Sequence, residues 1–257
     1  MSIRPSILCI AVSILCVAVT LTHSHKALAQ QGEPQPVVGC IGEPFSGVRT
    51  VQGANNFADG NRIDRGTTVR LYRDGQGRTR VEREVPAVVL ANNPRLEPVD
   101  ITINDPVSGE RIELRPKSKT AFVFRGGALP ARPPSHTPPD ISATFARHLY
   151  AANDPGWSKP VSLGEKSFDG LRATGQRRQY SIPVGAIGNE KPIQLTVEQW
   201  FIPELSLVVA RSSKASLGGE LGNQVENIVR GEPDPALFLI PSDYSRIEAG
   251  HPQAAAH

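Results

Sequence analysis

The stretch "FADGNRIDRGTTVRLYRDGQGRTRVEREV", residues 57–85, decides the fold. Two Asp-Gly pairs punctuate it, Asp59-Gly60 and Asp74-Gly75, and glycine accepts the positive φ that hairpin turns need. Between the pairs, Ile63, Thr67, Val69 and Leu71 alternate with Arg62, Asp64, Thr68 and Arg70. Beyond the second pair, Thr79, Val81 and Val85 alternate with Arg78, Arg80, Glu82 and Glu84. A period of two is the pattern of a half-buried strand. The stretch reads as three antiparallel strands joined by two tight turns.

The same grammar continues outward. Residues 99–125 carry three more strand patterns, split by the turn "PVSGE". Residues 126–140 break the series with five prolines, which a central strand does not tolerate. They predict a stiff connecting loop. Asp140 then stands as a helix N-cap, with Ile141, Phe145, Leu149 and Ala152 at helical spacing, so a helix is expected over 140–153. Strand patterns resume from residue 158. In "PIQLTVEQWFIP", Ile193, Leu195, Val197 and Phe201 share one side. Leu207 and Val209 continue the apolar pattern in the segment that pairs back. After "ELGNQVENIVRG", expected to be the last strand, "EPDPALFLIPSDY" admits two readings. Asp234 caps a single helical turn begun by Pro235 and presenting Leu237 and Phe238, or the segment is a short edge strand. The total is about eleven strands and one mid-chain helix, a mainly β fold built as a large curved antiparallel sheet or unclosed β-barrel.

The first residues read as an export signal: Arg4, an uncharged apolar run over residues 7–21, and Ala27-Leu28-Ala29 as a cleavage site, with maturation after Ala29. The run is shorter than the ~20 residues of a spanning helix, and no later stretch is long and apolar enough, so the product is expected outside the cytoplasm and not membrane-spanning. Removal of residues 1–29 takes Arg4 and Lys26 from a formal net charge of +3, leaving a nearly neutral chain with no signature of a nucleic-acid binder. It also takes Cys9 and Cys16, so Cys40 has no internal disulfide partner. "VVGC" ending at Cys40 has the look of a lipobox, but polar sequence separates it from the apolar run, and a buried or free thiol is expected. Residues 30–41 read as a disordered leader and 247–257 as a disordered tail. Between them a single domain, 42–246, divides into halves 42–125 and 158–246, joined by the loop and helix of 126–157.

These segments carry a resemblance. Pro44-Phe45-Ser46, residues 58–63, 71–84 and 101–109 in the first half, and "GAIGNEKPI", "EQWFIPELSLVV" and "NIVRGEPDPALFLIPSDY" in the second, look like a family of uncharacterised secreted bacterial proteins. More distantly, "LGEKSFDGLRA", the strand running to Trp200 and "DPALF" are similar to the LolA-like and RseB-like superfamily of periplasmic lipoprotein carriers and regulators. That resemblance implies an unclosed β-barrel of about eleven strands, apolar inside and lidded by helices. It also implies binding of acyl chains, lipids or a lipidated envelope protein. The sequence has no long helix ahead of its first strand.

Chemistry is sparse. There is no G-x-S-x-G, no Walker loop and no pair of histidines at metal-ligand spacing among His136, His148, His251 and His257. No catalytic residue, metal site or cofactor is expected. Trp157, Trp200 and Tyr180 suggest one small aromatic platform at most. Seven arginines against three acids over residues 62–83 are unusual, and Arg70, Arg73, Arg78 and Arg80 are candidates for an anion or an acidic partner. The leading expectation is a non-enzymatic binder of a hydrophobic or lipidated ligand, walled by Val69, Leu71, Ile193, Leu195, Val197, Phe201, Leu207 and Val209. The alternative is an envelope interaction or sensor protein docking through the arginine-rich hairpin.

Overall fold

The computed structural model describes residues 39–141 and 156–249 except 58, 94 and 187. The export signal, most of the leader and the helix beyond Ile141 lie outside the described residues. The elements are β1 (Phe45–Asn56), β2 (Arg62–Arg73), β3 (Thr79–Glu84), α1 (Ala87–Asn92), β4 (Val99–Asp105), β5 (Glu110–Arg115) and β6 (Thr120–Arg125). They continue with β7 (Val161–Phe168), β8 (Leu171–Ile182), β9 (Ile193–Ile202), β10 (Leu207–Ala215), β11 (Gly219–Arg230) and β12 (Ser245–Ala249). All twelve strands form one sheet in the order β12-β6-β5-β4-β3-β2-β1-β11-β10-β9-β8-β7. Its edges, β12 and β7, do not pair, so the sheet stays open. Every pairing is antiparallel except β12 on β6.

Local chemistry explains the turns. Asp169 and Gly170, at φ 48° and 79°, make the two-residue β7–β8 hairpin. The β2–β3 turn is where Asp74-Gly75 placed it, but the positive φ falls on Gly77, at 83°. Asp74 shapes that turn: its Oδ1 accepts from the backbone N–H groups of Gln76 and Arg78. In "GGELGN", residues 218–223, Gly219 and Gly222 lie in β11, and Gly218 closes the β10–β11 turn by donating its N–H to Ala215 O.

The strand order forces two long crossings. The chain runs outward from β1 to β6, then reappears at the opposite edge as β7 and works back until β11 pairs with β1. Residues 126–141 begin the first crossing and residues 231–244 make the second, from β11 to β12. The second contains the ambiguous C-terminal stretch. It forms a 3-10 turn at Pro235–Phe238, capped as expected by Asp234, whose Oδ1 accepts from Ala236 N–H at 2.9 Å. Beyond it the expected tail begins as β12, five residues beside β6.

The register shows that the aliphatic sides do not all converge. Leu71 stands opposite Val81, and Val81 opposite Thr102. Directly opposed residues share a face, so the neighbours Ile101 and Ile103 look the other way. From β2 to β4 the buried residues therefore change sides. Ile103, Ile112, Leu114, Ala121 and Val123 form a core covered by Phe238 of the second crossing. On the opposite face, Tyr180, Ile182, Ile193, Leu195 and Val197 form another, covered by Ile141 of the first. A third and larger cluster centres on Phe45, Val51, Val69, Leu71, Val209 and Val225. The face bearing Val51, Val69 and Val197 is called face A below, and its reverse face B.

Candidate functional site

Face A is assembled from three register rows. Arg83, Val69, Arg49 and Val225 lie side by side on β3, β2, β1 and β11. The next row runs Thr67, Val51, Asn223, Arg211, Gln199 and Gln176, across six strands from β2 to β8. The third runs Arg65, Gly53, Leu221, Ser213, Val197 and Arg178. The middle row is a polar seam between two aliphatic clusters.

No aspartate or glutamate stands in these rows, yet two arginines in them are desolvated. Burial holds the Arg49 guanidinium at about 10, with Arg211 and then Arg83 repelling it further. Burial alone brings Arg211 to about 10. Both remain charged at neutral pH. One Arg211 Nη donates to Gln199 Oε1. Gln199, fully buried, donates in turn to Pro139 O at 2.9 Å. Arg211 Nε is buried with no hydrogen-bond partner.

The acids of these strands are on face B. Asp64, Ala54, Glu220, Lys214, Thr196 and Gln179 form one row there, and Gly66, Gln52, Gly222, Ser212, Glu198 and Arg177 another. They line a cleft of about 920 Å³ in which three ion pairs form. Arg62 meets Asp64 at 2.9 Å, Arg177 meets Glu198 at 2.6 Å and Lys214 meets Glu220 at 2.7 Å.

All eight wall residues named from the sequence are buried. Val69, Leu71, Leu207 and Val209 belong to the large central cluster, and Ile193, Leu195 and Val197 to the cluster under Ile141. Phe201 is buried in β9. None of the eight lines the polar cleft. The four candidate anion-binding arginines are divided between partners of the chain itself. Arg70 pairs with Glu84 at 3.1 Å. Arg80 pairs with Glu82 at 2.7 Å and donates to Leu237 O. Arg78 pairs with Asp74 at 2.6 Å and lies over the Phe238 ring. Arg73 is buried, donates to Glu43 O and Leu205 O, and stacks over Phe45. Of the aromatic platform, Trp157 and Tyr180 meet with centroids 5.0 Å apart, whereas Trp200 packs on Phe168. Cys40 is a buried free thiol whose backbone bridges Arg132. Among the described residues no group of three His, Cys, Asp or Glu is arranged to hold a metal, and no helix is long and apolar enough to cross a membrane.

Arg49, Arg211 and Gln199 went unnoticed in the sequence, although a signal was there. Arg49 occupies the apolar phase of Phe45-x-Gly47-x-Arg49-x-Val51, and Arg211 follows Val209 in phase. A charged residue on the inward beat of an alternating strand is conspicuous once the strand is placed.

No family model and no curated protein matches the chain. Several solved structures are similar to it. LprF from Mycobacterium bovis is 14% identical, with 79% of this chain and 90% of that one covered at a TM-score of 0.33. A LolA superfamily protein from Nitrosomonas europaea is 8% identical, with 77% and 90% covered at 0.31. The Mycobacterium tuberculosis lipoprotein LppX is 11% identical, with 86% and 98% covered at 0.30. The superfamily that the sequence resembles is thus named among the structures similar to the chain.

Proposed function

We propose that the protein is exported, with its signal cleaved after Ala29, and that it binds a hydrophobic or lipidated ligand without transforming it. The ligand lies against face A, where the first crossing acts as a displaceable strap. The observation that carries this reading is how that strap is held. Residues 132–137 are exposed, and of residues 132–141 only Ile141 is buried. The rest is fastened by polar contacts: Gln176 and Gln199 donate to Pro139 O, Arg178 pairs with Asp140 at 2.6 Å, and Ser135 N–H donates to Ser206 Oγ. No sheet ladder is broken when residues 133–141 lift.

Magnitudes favour exchange with an acyl chain. Burying one isoleucine stabilises by about 1.5–3 kcal/mol, and each buried methylene by about 0.8 kcal/mol. About two to four methylenes laid over Tyr180, Ile182, Leu195 and Val197 therefore match Ile141. A longer chain has surplus to offset the hydrogen bonds, worth about 0.5–1.5 kcal/mol each.

The test is uptake of cis-parinaric acid by delipidated protein. A saturable fluorescence gain is expected, displaced by palmitate, and tighter in Ile141→Ala because the competing side chain is gone. Absence of uptake by both proteins refutes the reading.

A further inference from the structure

The cleft on face B has no part in the function proposed for face A. Its two rows cross β2, β1, β11, β10, β9 and β8, and five strand spacings of about 4.8 Å carry them about 24 Å across the sheet. Arg65 and Leu221 reach the cleft from a row of the other face. Of the lining side chains that belong to face B itself, only Ala54 is apolar. An oily ligand finds little to cover there. Nor does the floor select a charge, because its acids and bases are joined as Arg62–Asp64, Lys214–Glu220 and Arg177–Glu198.

These pairs keep hydrogen-bonding capacity. Arg177 directs both Nε and Nη2 to Glu198 Oε1, at 2.8 and 2.6 Å. Lys214 Nζ meets Glu220 Oε1, and Arg62 Nε donates to Asp64 Oδ1. Among the described residues, the second oxygen of each carboxylate accepts no hydrogen bond. Each pair is therefore an oriented acceptor beside a cation with N–H groups left to donate. Two adjacent hydroxyls satisfy both: one donates to the carboxylate while its neighbour accepts from the cation. The exposed Gln52 amide and Ser212 hydroxyl lie in the same floor and make no side-chain hydrogen bond among the described residues. Each of them both donates and accepts, as a sugar hydroxyl does.

We infer that the face B cleft binds a neutral, linear oligosaccharide whose adjacent hydroxyls engage the three ion pairs in turn. Repetition points to a chain. The donor–acceptor unit recurs on β2, on β10 with β11, and on β8 with β9, and the outermost two stand further apart than one sugar ring reaches. An anion gains less, since each cation of the floor already faces a carboxylate. A peptide gains less too. All six strands are paired on both sides, so its backbone finds no open edge to join, and the floor has no apolar pocket for its side chains.

The experiment titrates cellotetraose, maltotetraose and tetra-N-acetylchitotetraose into the protein by calorimetry, beside glucose, tetragalacturonate and tetraglycine. At least one neutral tetrasaccharide is expected to bind saturably and at least tenfold more tightly than glucose, tetragalacturonate or tetraglycine. Glu198→Ala and Asp64→Ala remove acceptors at opposite ends of the cleft, and each is expected to weaken that binding about tenfold. Both side chains are partly exposed, and the melting temperature of each variant checks its fold. Gln52→Ala, at an exposed side chain outside the ion pairs, is expected to weaken binding as well and serves where an ion-pair variant does not fold. Failure of all three tetrasaccharides to bind overturns the inference, as does binding of glucose, tetragalacturonate or tetraglycine as tight as theirs. Affinity undiminished in the folded variants overturns it, and so does displacement of the saccharide by palmitate, which would move it to face A. The reading of face A stands or falls separately, on uptake of cis-parinaric acid.

Discussion

Phe238→Ala tests whether the second crossing is structural. Phe238 is 3% exposed and packs into the cluster of Ile103, Ile112, Leu114, Ala121 and Val123. Truncating a buried phenylalanine costs about 3–5 kcal/mol, from lost transfer energy and the cavity left behind. The Arg78 guanidinium, 5.1 Å from the ring centroid, loses a contact worth about 0.5–1 kcal/mol. For a chain of this size 1 kcal/mol moves the melting temperature by about 2–4 °C, so a drop on the order of 10 °C is expected by circular dichroism. The loss is also local. The cluster beneath Phe238 is separate from those on face A. Hydrogen exchange followed by mass spectrometry should rise first in β4, β5, β6 and β12, and least in β9 and β10. Phe238→Leu should recover most of the stability. A loss below about 1 kcal/mol, or one spread evenly over all strands, refutes the argument that this face has its own core.

Two further outcomes follow from single contacts. Glu248 ties β12 to β6 by accepting from Arg125 at 2.9 Å, it also accepts from Arg246 of its own strand at 2.9 Å, and these bonds hold its carboxyl below the ordinary 4.5. Asp243 is lowered in the same way by Lys119. A carboxylate with a lower pKa folded than unfolded stabilises the fold above its unfolded value, and that contribution is lost as pH falls through the folded one. Exchange of the β12 amides, corrected for intrinsic rate, should thus be flat from pH 7 to about 5 and rise below about 4. Gly175→Ala should destabilise by about 1–3 kcal/mol and shift tryptophan fluorescence, because its Cβ would fall 2.7 Å from the Trp200 ring and 2.9 Å from Leu163 Cβ. Unchanged denaturant midpoint and emission would show that the ring yields freely.

Much of the fold was legible because alternation and turn chemistry are local. Ile63 to Leu71 give β2 its phase, and Asp169-Gly170 gives the β7–β8 hairpin its turn. What was not legible depends on distant partners. β12, "SRIEA", is short, carries two charged residues and is held by β6, more than a hundred residues away in the chain. The helix α1, "AVVLAN", has two β-branched valines and no capping side chain, so propensity argues for a strand, while Pro86 O accepts from Val89 and Leu90 N–H to close its first turn. The change of face between β2 and β4 was equally hidden. Periodicity fixes which residues of a strand share a side, but only register decides which side of the sheet that is. The same limit applies to the eight wall residues: alternation foretold their burial, but it does not distinguish a packed core from a surface awaiting a guest.

That distinction rests on what covers each face. The two crossings arise from one topological fact, β7 at one edge and β12 at the other, and they differ in how much they bury. The second sends Phe238 into the core, packs Leu237, Ile240 and Tyr244 against it, and ends as a hydrogen-bonded strand. Removing it strips a core and breaks a ladder together. The described part of the first crossing over face A contributes Ile141 and a set of polar fastenings, several to carbonyl and hydroxyl oxygens that water satisfies equally well once they are freed. Among the described residues, the cover of face A therefore gives up less on lifting than the cover of the opposite core does.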